Sequence, residues 1–410
     1  DEIVAHTAPL GGNPVRDGDE VSTIMYTSGT TGMPKGVMHS FATFAWSTGA
    51  VRKRLRIEAH SRALSYLPLS HVAERTAVEH SQLASGMHVY FADSLQTFAA
   101  DLQRARPTVF FSVPRLWVKF QQGVLARMPA QKLDRLLAVP ILRGVVRRKI
   151  LAGLGLDQCE SPAGGAAPMP PELLRWYARL GLNIIEVYGM TENCGVSHCT
   201  APGRMQAGTV GLPYEGIESR IDPETQEVQM RSPGVMLGYY REPELTREAF
   251  TADGWLRTGD KGALDADGNL RIVGRVKDLF KTSKGKYVTP APIEDRLVAH
   301  PAVEACCVAG ANLGQPVALL MLNVEAARRS TVASERAAME QSLLEHLQQV
   351  NAELDPYEQL DCLVLITEAW TVDNDLVTPT FKVKRNRIEA MYAEHYEAWV
   401  GRRAKIVWHA

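Results

Sequence analysis

Tyr26-Thr27-Ser28-Gly29-Thr30-Thr31-Gly32-Met33-Pro34-Lys35-Gly36 follows a short apolar run, Ile24-Met25-Tyr26, inside a segment from Ser22 that reads as a buried strand. The chain then changes to residues suited to touching phosphate. Gly29 and Gly32 let the backbone approach a charged ligand and present its amides. Thr27, Ser28, Thr30 and Thr31 add hydroxyl donors, and Lys35 adds a positive charge. A Walker A loop fits badly: it needs glycine before the lysine and Ser or Thr after it, whereas Pro34 precedes Lys35 and Gly36 follows. A flexible surface connector is the other reading, and so many phosphate-compatible residues behind one strand argue against it.

Working outward, a chain of 410 residues has room for two or three domains with sizeable cores. A net charge of −1 gives no overall basic footprint, so no nucleic-acid partner is expected. No apolar run approaches the roughly 20 residues that span a bilayer. Cys159, Cys194, Cys199, Cys306, Cys307 and Cys362 show neither CxxC spacing nor disulfide density, which points to reduced thiols and a cytoplasmic, soluble protein. Cys194 and Cys199 flank His198, but no second ligand pair is spaced to complete a tetrahedral metal site.

From the loop to about Leu182, apolar runs alternate with helical patterns. Ala63–Leu67, Met87–Phe91 and Thr108–Phe111 read as strands, Val72 to Ala84 and Ser94 to Arg104 as helices. That order implies an α/β large domain, layered around a mainly parallel sheet, with ligand loops at strand C-termini. Helical segments rich in Arg and Leu fill Lys119 to Leu154; Arg143, Arg147, Arg148 and Lys149 form either a solvated face or a contact with an anionic membrane surface. A helix from Pro171 to Leu180 and a strand Asn183–Val187 follow. From Gly208 the texture turns to short alternating segments, a β-rich subdomain over about 208–273. The boundary falls at Gly274-Arg275-Val276-Lys277-Asp278, giving residues 1–277 to the large domain. Residues 278–410 form a small α+β C-terminal domain, with strands Val303–Ala309, Val317–Asn323 and Cys362–Thr367 and helices Ile293–Ala299, Ser334–Asn351 and Arg385–Trp399.

The opening loop, Gly164-Gly165-Ala166-Ala167-Pro168, Tyr188-Gly189-Met190-Thr191-Glu192, Trp255-Leu256-Arg257-Thr258-Gly259-Asp260 and Thr378-Pro379-Thr380-Phe381-Lys382 together resemble the adenylate-forming (acyl-CoA synthetase, AMP-binding) superfamily. The similarity is greatest to bacterial long-chain fatty acyl-CoA synthetases. It implies that Thr27 to Lys35 hold the β- and γ-phosphates, and that Gly165, Ala166 and Ala167 lie against adenine with Tyr188, Gly189 and Met190 around it. It gives Thr191 to the α-phosphate and Glu192 to Mg²⁺. Asp260 and Arg275 take the ribose, Lys277 is the hinge, and the C-terminal domain is a mobile lid.

Read without the family, Tyr188 could be core, Glu192 could stabilise a helix N-terminus, and Lys277 could be an exposed linker residue. His71, in Leu67-Pro68-Leu69-Ser70-His71, either borders the acyl pocket or caps the helix that follows. Trp117, in Ser112-Val113-Pro114-Arg115-Leu116-Trp117, either gates an acyl tunnel or is core. Gly238-Tyr239-Tyr240 reads as structural. Lys382 is the implied catalytic lysine, with Lys384 the alternative register; since an unperturbed lysine titrates near 10.4, its job is electrostatic. Lys281, Lys284 and Lys286 form a basic run for CoA phosphates.

The implied function is ATP-dependent activation of a fatty, long-chain acid as acyl-AMP, then transfer to CoA. ATP, Mg²⁺ and CoA are the expected cofactors, with peripheral membrane association possible. An acyl-AMP ligase loading a carrier-protein thiol and a non-catalytic nucleotide-binding fragment are the alternatives. Because the resembled family carries a long segment before its phosphate loop, the N-terminal part of the large domain is expected to be missing here.

Overall fold

A computed structural model describes residues 6–8, 12, 15–28, 34–94, 96–204, 206–378 and 382–409. Its parallel layer has Val109–Ser112, Ser161–Gly165 and Ile185–Tyr188 side by side, continued antiparallel by His198–Cys199 and Leu212–Pro213. Arg62–Ser65 and His88–Phe91 form a second parallel pair. Helices Phe98–Ala105, Pro114–Arg127, Ala130–Ala138, Pro140–Leu154 and Pro171–Arg179 belong to this half of the chain. Trp117 is fully buried among the rings of Phe110, Phe120 and Tyr177. Of its two sequence readings, this geometry is that of core.

The strand that opens the chain belongs elsewhere. Val21–Ser28 pairs antiparallel with Pro34–Ser40, which pairs antiparallel with Gly238–Tyr239. Lys35 and Gly36, read above as loop, therefore begin a second strand, and Thr27 lies directly opposite Lys35. The pairing also revises the buried segment: Met25 is 3% exposed and Tyr26 60%, because side chains alternate across a pleated sheet.

Helix Phe41–Leu55, for which the sequence reading has no counterpart, starts where the Ser40 hydroxyl accepts the Thr43 amide at 3.2 Å. The β-rich sheet has Glu218–Ile221, Glu227–Arg231, Leu256–Leu264 and Leu270–Arg275 in that order, all antiparallel. Within the span 208–273, Gly238–Tyr239 leaves this sheet and pairs instead with Pro34–Ser40.

In the C-terminal sheet, Val303–Ala309 runs antiparallel to Val317–Leu322, which is followed in parallel by Leu363–Ile366 and Ile406–His409. Val317–Leu322 is buried along its whole length. Ala318, Leu320 and Leu322 pack toward Leu343, Leu347 and Val350 of helix Ala333–Ala352, while Val317, Leu319 and Met321 pack toward Ile388, Tyr392 and Trp399. A continuous apolar run is what a strand covered on both faces requires. The last strand and helix Val324–Arg329 had no counterpart in the sequence reading.

Candidate active site

Strand register assembles the first cluster. Asp260 and Arg275 are direct partners on neighbouring antiparallel strands, and Tyr188 arrives as the last residue of Ile185–Tyr188. The Tyr188 hydroxyl donates to Asp260 Oδ2 at 2.7 Å, and Arg275 Nε donates to Oδ1 at 3.0 Å. Each oxygen of this buried carboxylate keeps a further lone pair, so it can still accept hydroxyls. The charge of Asp260 holds the Arg275 guanidinium above its ordinary range, and burial, reinforced by Asp260, pushes the Tyr188 phenol far up.

A second cluster links three segments. The Tyr239 hydroxyl donates to Glu192 Oε1 at 2.9 Å, while Lys35 Nζ lies 5.1 Å from the centroid of the Tyr239 ring. Tyr239 thus joins the strand Pro34–Ser40 to Glu192. Among the described residues Glu192 forms no ion pair, so most of its acceptor capacity is free for a cation. Among the described residues no three His, Cys, Asp or Glu side chains gather as a metal cage. One carboxylate suits Mg²⁺ shared with substrate phosphates.

His39 supports Thr191 from behind. Fully buried, its imidazole is held neutral, near pKa 4, by desolvation. Nε2 lies 2.7 Å from the Thr191 carbonyl, which can only accept, so the proton is on Nε2 and Nδ1 accepts from the Cys194 thiol at 3.3 Å. Gly189 is imposed by backbone approach: a Cβ there would sit 2.2 Å from the Gly195 carbonyl carbon. Gly165 ends its strand, and Ala166 adopts φ 66°, a left-handed turn that exposes Ala167.

Lys382 comes from the other end of the chain. Its amide donates to Thr378 Oγ1 at 3.0 Å, the Thr378 amide donates back to its carbonyl at 2.8 Å, and Val377 bridges Val383. The residue keeps solvent-accessible surface, yet protein crowds its ammonium closely enough for desolvation to lower its pKa; Arg275 acts in the same direction and Asp260 opposes both. Lys384 instead pairs with Asp375.

His71 caps the helical segment beginning at Val72, its Nδ1 accepting from the Ala73 amide at 3.2 Å. Burial and the charge of Lys382 bring its pKa to about 4. The capping reading is thus realised, and Lys382 lies close enough to act on the same ring. Lys277 is exposed between strand Leu270–Arg275 and the hairpin Phe280–Lys281/Tyr287–Val288; Lys281, Lys284 and Lys286 are exposed on that hairpin.

The fold therefore brings Tyr188, Asp260, Arg275, Lys382 and His71 into one electrostatic neighbourhood, and Lys35 and Glu192 into another through Tyr239. Gly29, Thr30, Thr31 and Gly32 lie outside the described residues, as does the Ser28 side chain. Sequence reading missed Tyr239 and His39. The signal for His39 was a polar residue at an inward position of a strand, two residues from fully buried Val37.

These features define an α/β protein whose strand ends gather adenine-, ribose- and phosphate-compatible groups beneath a separately cored C-terminal unit. The AMP-binding enzyme family model matches residues 4–240, and the AMP-binding enzyme C-terminal domain matches residues 277–401; the chain belongs to this adenylate-forming family. It is 33% identical to FadD11 of Mycobacterium tuberculosis, named as a fatty-acid–CoA ligase, over 92% of this chain and 73% of that protein. It is 31% identical to the long-chain-fatty-acid–CoA ligase FadD15 of Mycobacterium bovis, over 92% and 69%. The A domain of a carboxylic acid reductase from Segniliparus rugosus, in complex with AMP and a co-purified carboxylic acid, superposes with TM-score 0.78 at 26% identity, over 98% of this chain and 66% of that one.

Glu186, two residues before Tyr188, supplies a test of this strand's environment. It is buried, its Oε1 has no partner among the described residues, and desolvation pushes its pKa from 4.5 to about 8, opposed by the Met169 amide. Between those values the unfolded chain has lost the proton and the folded chain keeps it. Stability therefore falls as pH rises through that window, by about 1.4 kcal/mol per pH unit at most, and levels off above it. Glu186→Gln should gain on the parent as pH rises from 5 to 9, read from urea midpoints; a pH-independent difference would contradict the assignment.

Proposed function

We propose that the protein activates a fatty, long-chain carboxylic acid with ATP and transfers the acyl group to CoA. The observation that carries this reading is the convergence of Lys382 on Asp260, Arg275 and His71. A substrate carboxylate oxygen attacks the α-phosphorus of ATP, forming acyl-AMP and releasing pyrophosphate. The CoA thiol then attacks the acyl carbonyl and AMP departs.

Phosphoryl-type transfer is mostly positioning and charge stabilisation. In this reading Thr27, Ser28, Gly29, Thr30, Thr31, Gly32 and Lys35 hold the leaving pyrophosphate. Thr191 takes the α-phosphate, Tyr188 and the Gly165–Ala167 turn hold adenine, and Asp260 and Arg275 bind the ribose. Lys382 lies between carboxylate and α-phosphate, while His71, neutral and protonated on Nε2, lines the entry of the acid. Glu192 would hold Mg²⁺, which supplies charge neutralisation to the triphosphate. Residues 278–410 act as a lid turning about Lys277, so that Lys281, Lys284 and Lys286 meet CoA in the second step. The matched relatives' names support CoA as acceptor and a long acyl chain.

A peripheral contact with anionic lipid is a further part of this reading. Ile141 is 85% and Val145 65% exposed on one face of helix Pro140–Leu154, beside exposed Arg148 and Lys149. No helix among the described residues is long and apolar enough to cross a membrane.

Lys382→Ala should lower acid-dependent ATP–pyrophosphate exchange by roughly 10²-fold or more, with a smaller effect on thioester formation from supplied acyl-AMP. Near-parental exchange would exclude the lysine's role, and preference for a holo-carrier protein over CoA would redirect the acceptor. Vesicles containing anionic lipid should co-sediment the protein, and Ile141→Ser with Val145→Ser should weaken that; equal binding to neutral vesicles counts against charge recognition.

A further inference from the structure

Arg115 is the second residue of helix Pro114–Arg127, which follows directly on Val109–Ser112 at the edge of the five-stranded sheet. A cation in the first turn opposes the helix dipole. Lys119, one turn later, adds a like charge, and burial, reinforced by Arg115, lowers its pKa.

The explanation lies across the interface. Arg115 Nη2 pairs with Glu304 Oε1 on the first strand of the C-terminal sheet, and both side chains are partly withdrawn from solvent, at 38% and 23% exposure. Glu304 reaches that position through a β-bulge. Register runs Val303 to Leu322, then Ala305 to Met321, so Glu304 has no partner in the ladder. Cys306 and Val308 face one core; strict alternation continued back from them would send Glu304 into the same core. The bulge gives that inward place to Val303 and turns the carboxylate outward. Two local irregularities, a cation against a dipole and a break in a ladder, thus meet in one ion pair.

We propose that Arg115 and Glu304 are positioning residues for the first half-reaction: their ion pair holds the C-terminal unit over the nucleotide site in the arrangement that presents Lys382. This inference rests on the lid reading above. Turning the lid to admit CoA separates the pair, which costs little because both groups retain access to water. The pair therefore favours adenylate formation without trapping the enzyme there.

The test is made on the full chain with the two half-reactions assayed separately. Arg115→Gln and Glu304→Gln should each lower acid-dependent ATP–pyrophosphate exchange by about 2–5-fold, a range set by a partly exposed pair. Thioester formation from supplied acyl-AMP and CoA should be unchanged or faster. The reversed pair, Arg115→Glu with Glu304→Arg, should recover most of the exchange rate. Raised salt should slow the parent's exchange toward that of the single variants. Equal losses in both half-reactions accompanied by a lower melting temperature, or a reversed pair no better than the singles, would overturn the proposal. Lys382→Ala serves as the control: if it leaves exchange intact, the lid reading fails; if it abolishes exchange while the Arg115 and Glu304 variants match the parent, only the positioning pair fails.

Discussion

The Asp260 carboxylate is the interaction on which the candidate site depends. A buried charge must be paired and hydrogen-bonded, and Asp260 meets that requirement by drawing one donor from each of two structural layers: Tyr188 from the parallel sheet and Arg275 from its own β-rich sheet. The strand carrying Arg275 ends there, so the same ion pair sits where the chain leaves for the C-terminal unit. It also determines which charges can gather. Lys382 approaches a site already occupied by a guanidinium, and Asp260 is the anion that opposes their repulsion. Two cations can share the neighbourhood because one carboxylate answers both.

The sheet of Val21–Ser28, Pro34–Ser40 and Gly238–Tyr239 is tied to this centre by a different kind of contact. Lys35 over the Tyr239 ring and Tyr239 on Glu192 connect strands far apart in sequence without neutralising the acidic residue. Behind them, His39 braces Thr191 as a neutral donor. Neutral supports fix the geometry of Thr191 and Glu192 without adding charge beside them.

Much of this was legible in sequence wherever an element buries a continuous or alternating apolar face. The strand Val317–Leu322 and helix Ala333–Ala352 stand close to where hydrophobic pattern located them. Helix Phe41–Leu55 escaped because Thr43, Ser47 and Thr48 share its buried face with Phe44, Val51 and Leu55, so hydroxylated residues interrupt the apolar stripe. The strand containing Lys35 was hidden by a loop motif that runs into its first residues. Asp260, Arg275 and Lys382 were identifiable only as parts of a family pattern. What joins them is cross-strand register and a chain reversal over more than a hundred residues, neither of which leaves a local trace. Tyr239 was quoted within a segment read as structural; its bond to Glu192 could not be read, since nothing near it in sequence announces that partner.

The way Lys382 is held bears on how the site can change state. Lys382 is tied to Thr378 by reciprocal backbone and side-chain bonds, Val377 bridges Val383, and the Lys384–Asp375 ion pair fastens the chain that follows. Arg385 continues the attachment inward through Glu294 at 2.5 Å. Withdrawing Lys382 by itself would break several of these contacts at once. Rotating the whole C-terminal unit breaks none of them, because they lie within that unit's own framework. The cheaper motion is therefore rigid-body movement of residues that share one two-faced core, with the cost concentrated in the few contacts that cross to the large domain.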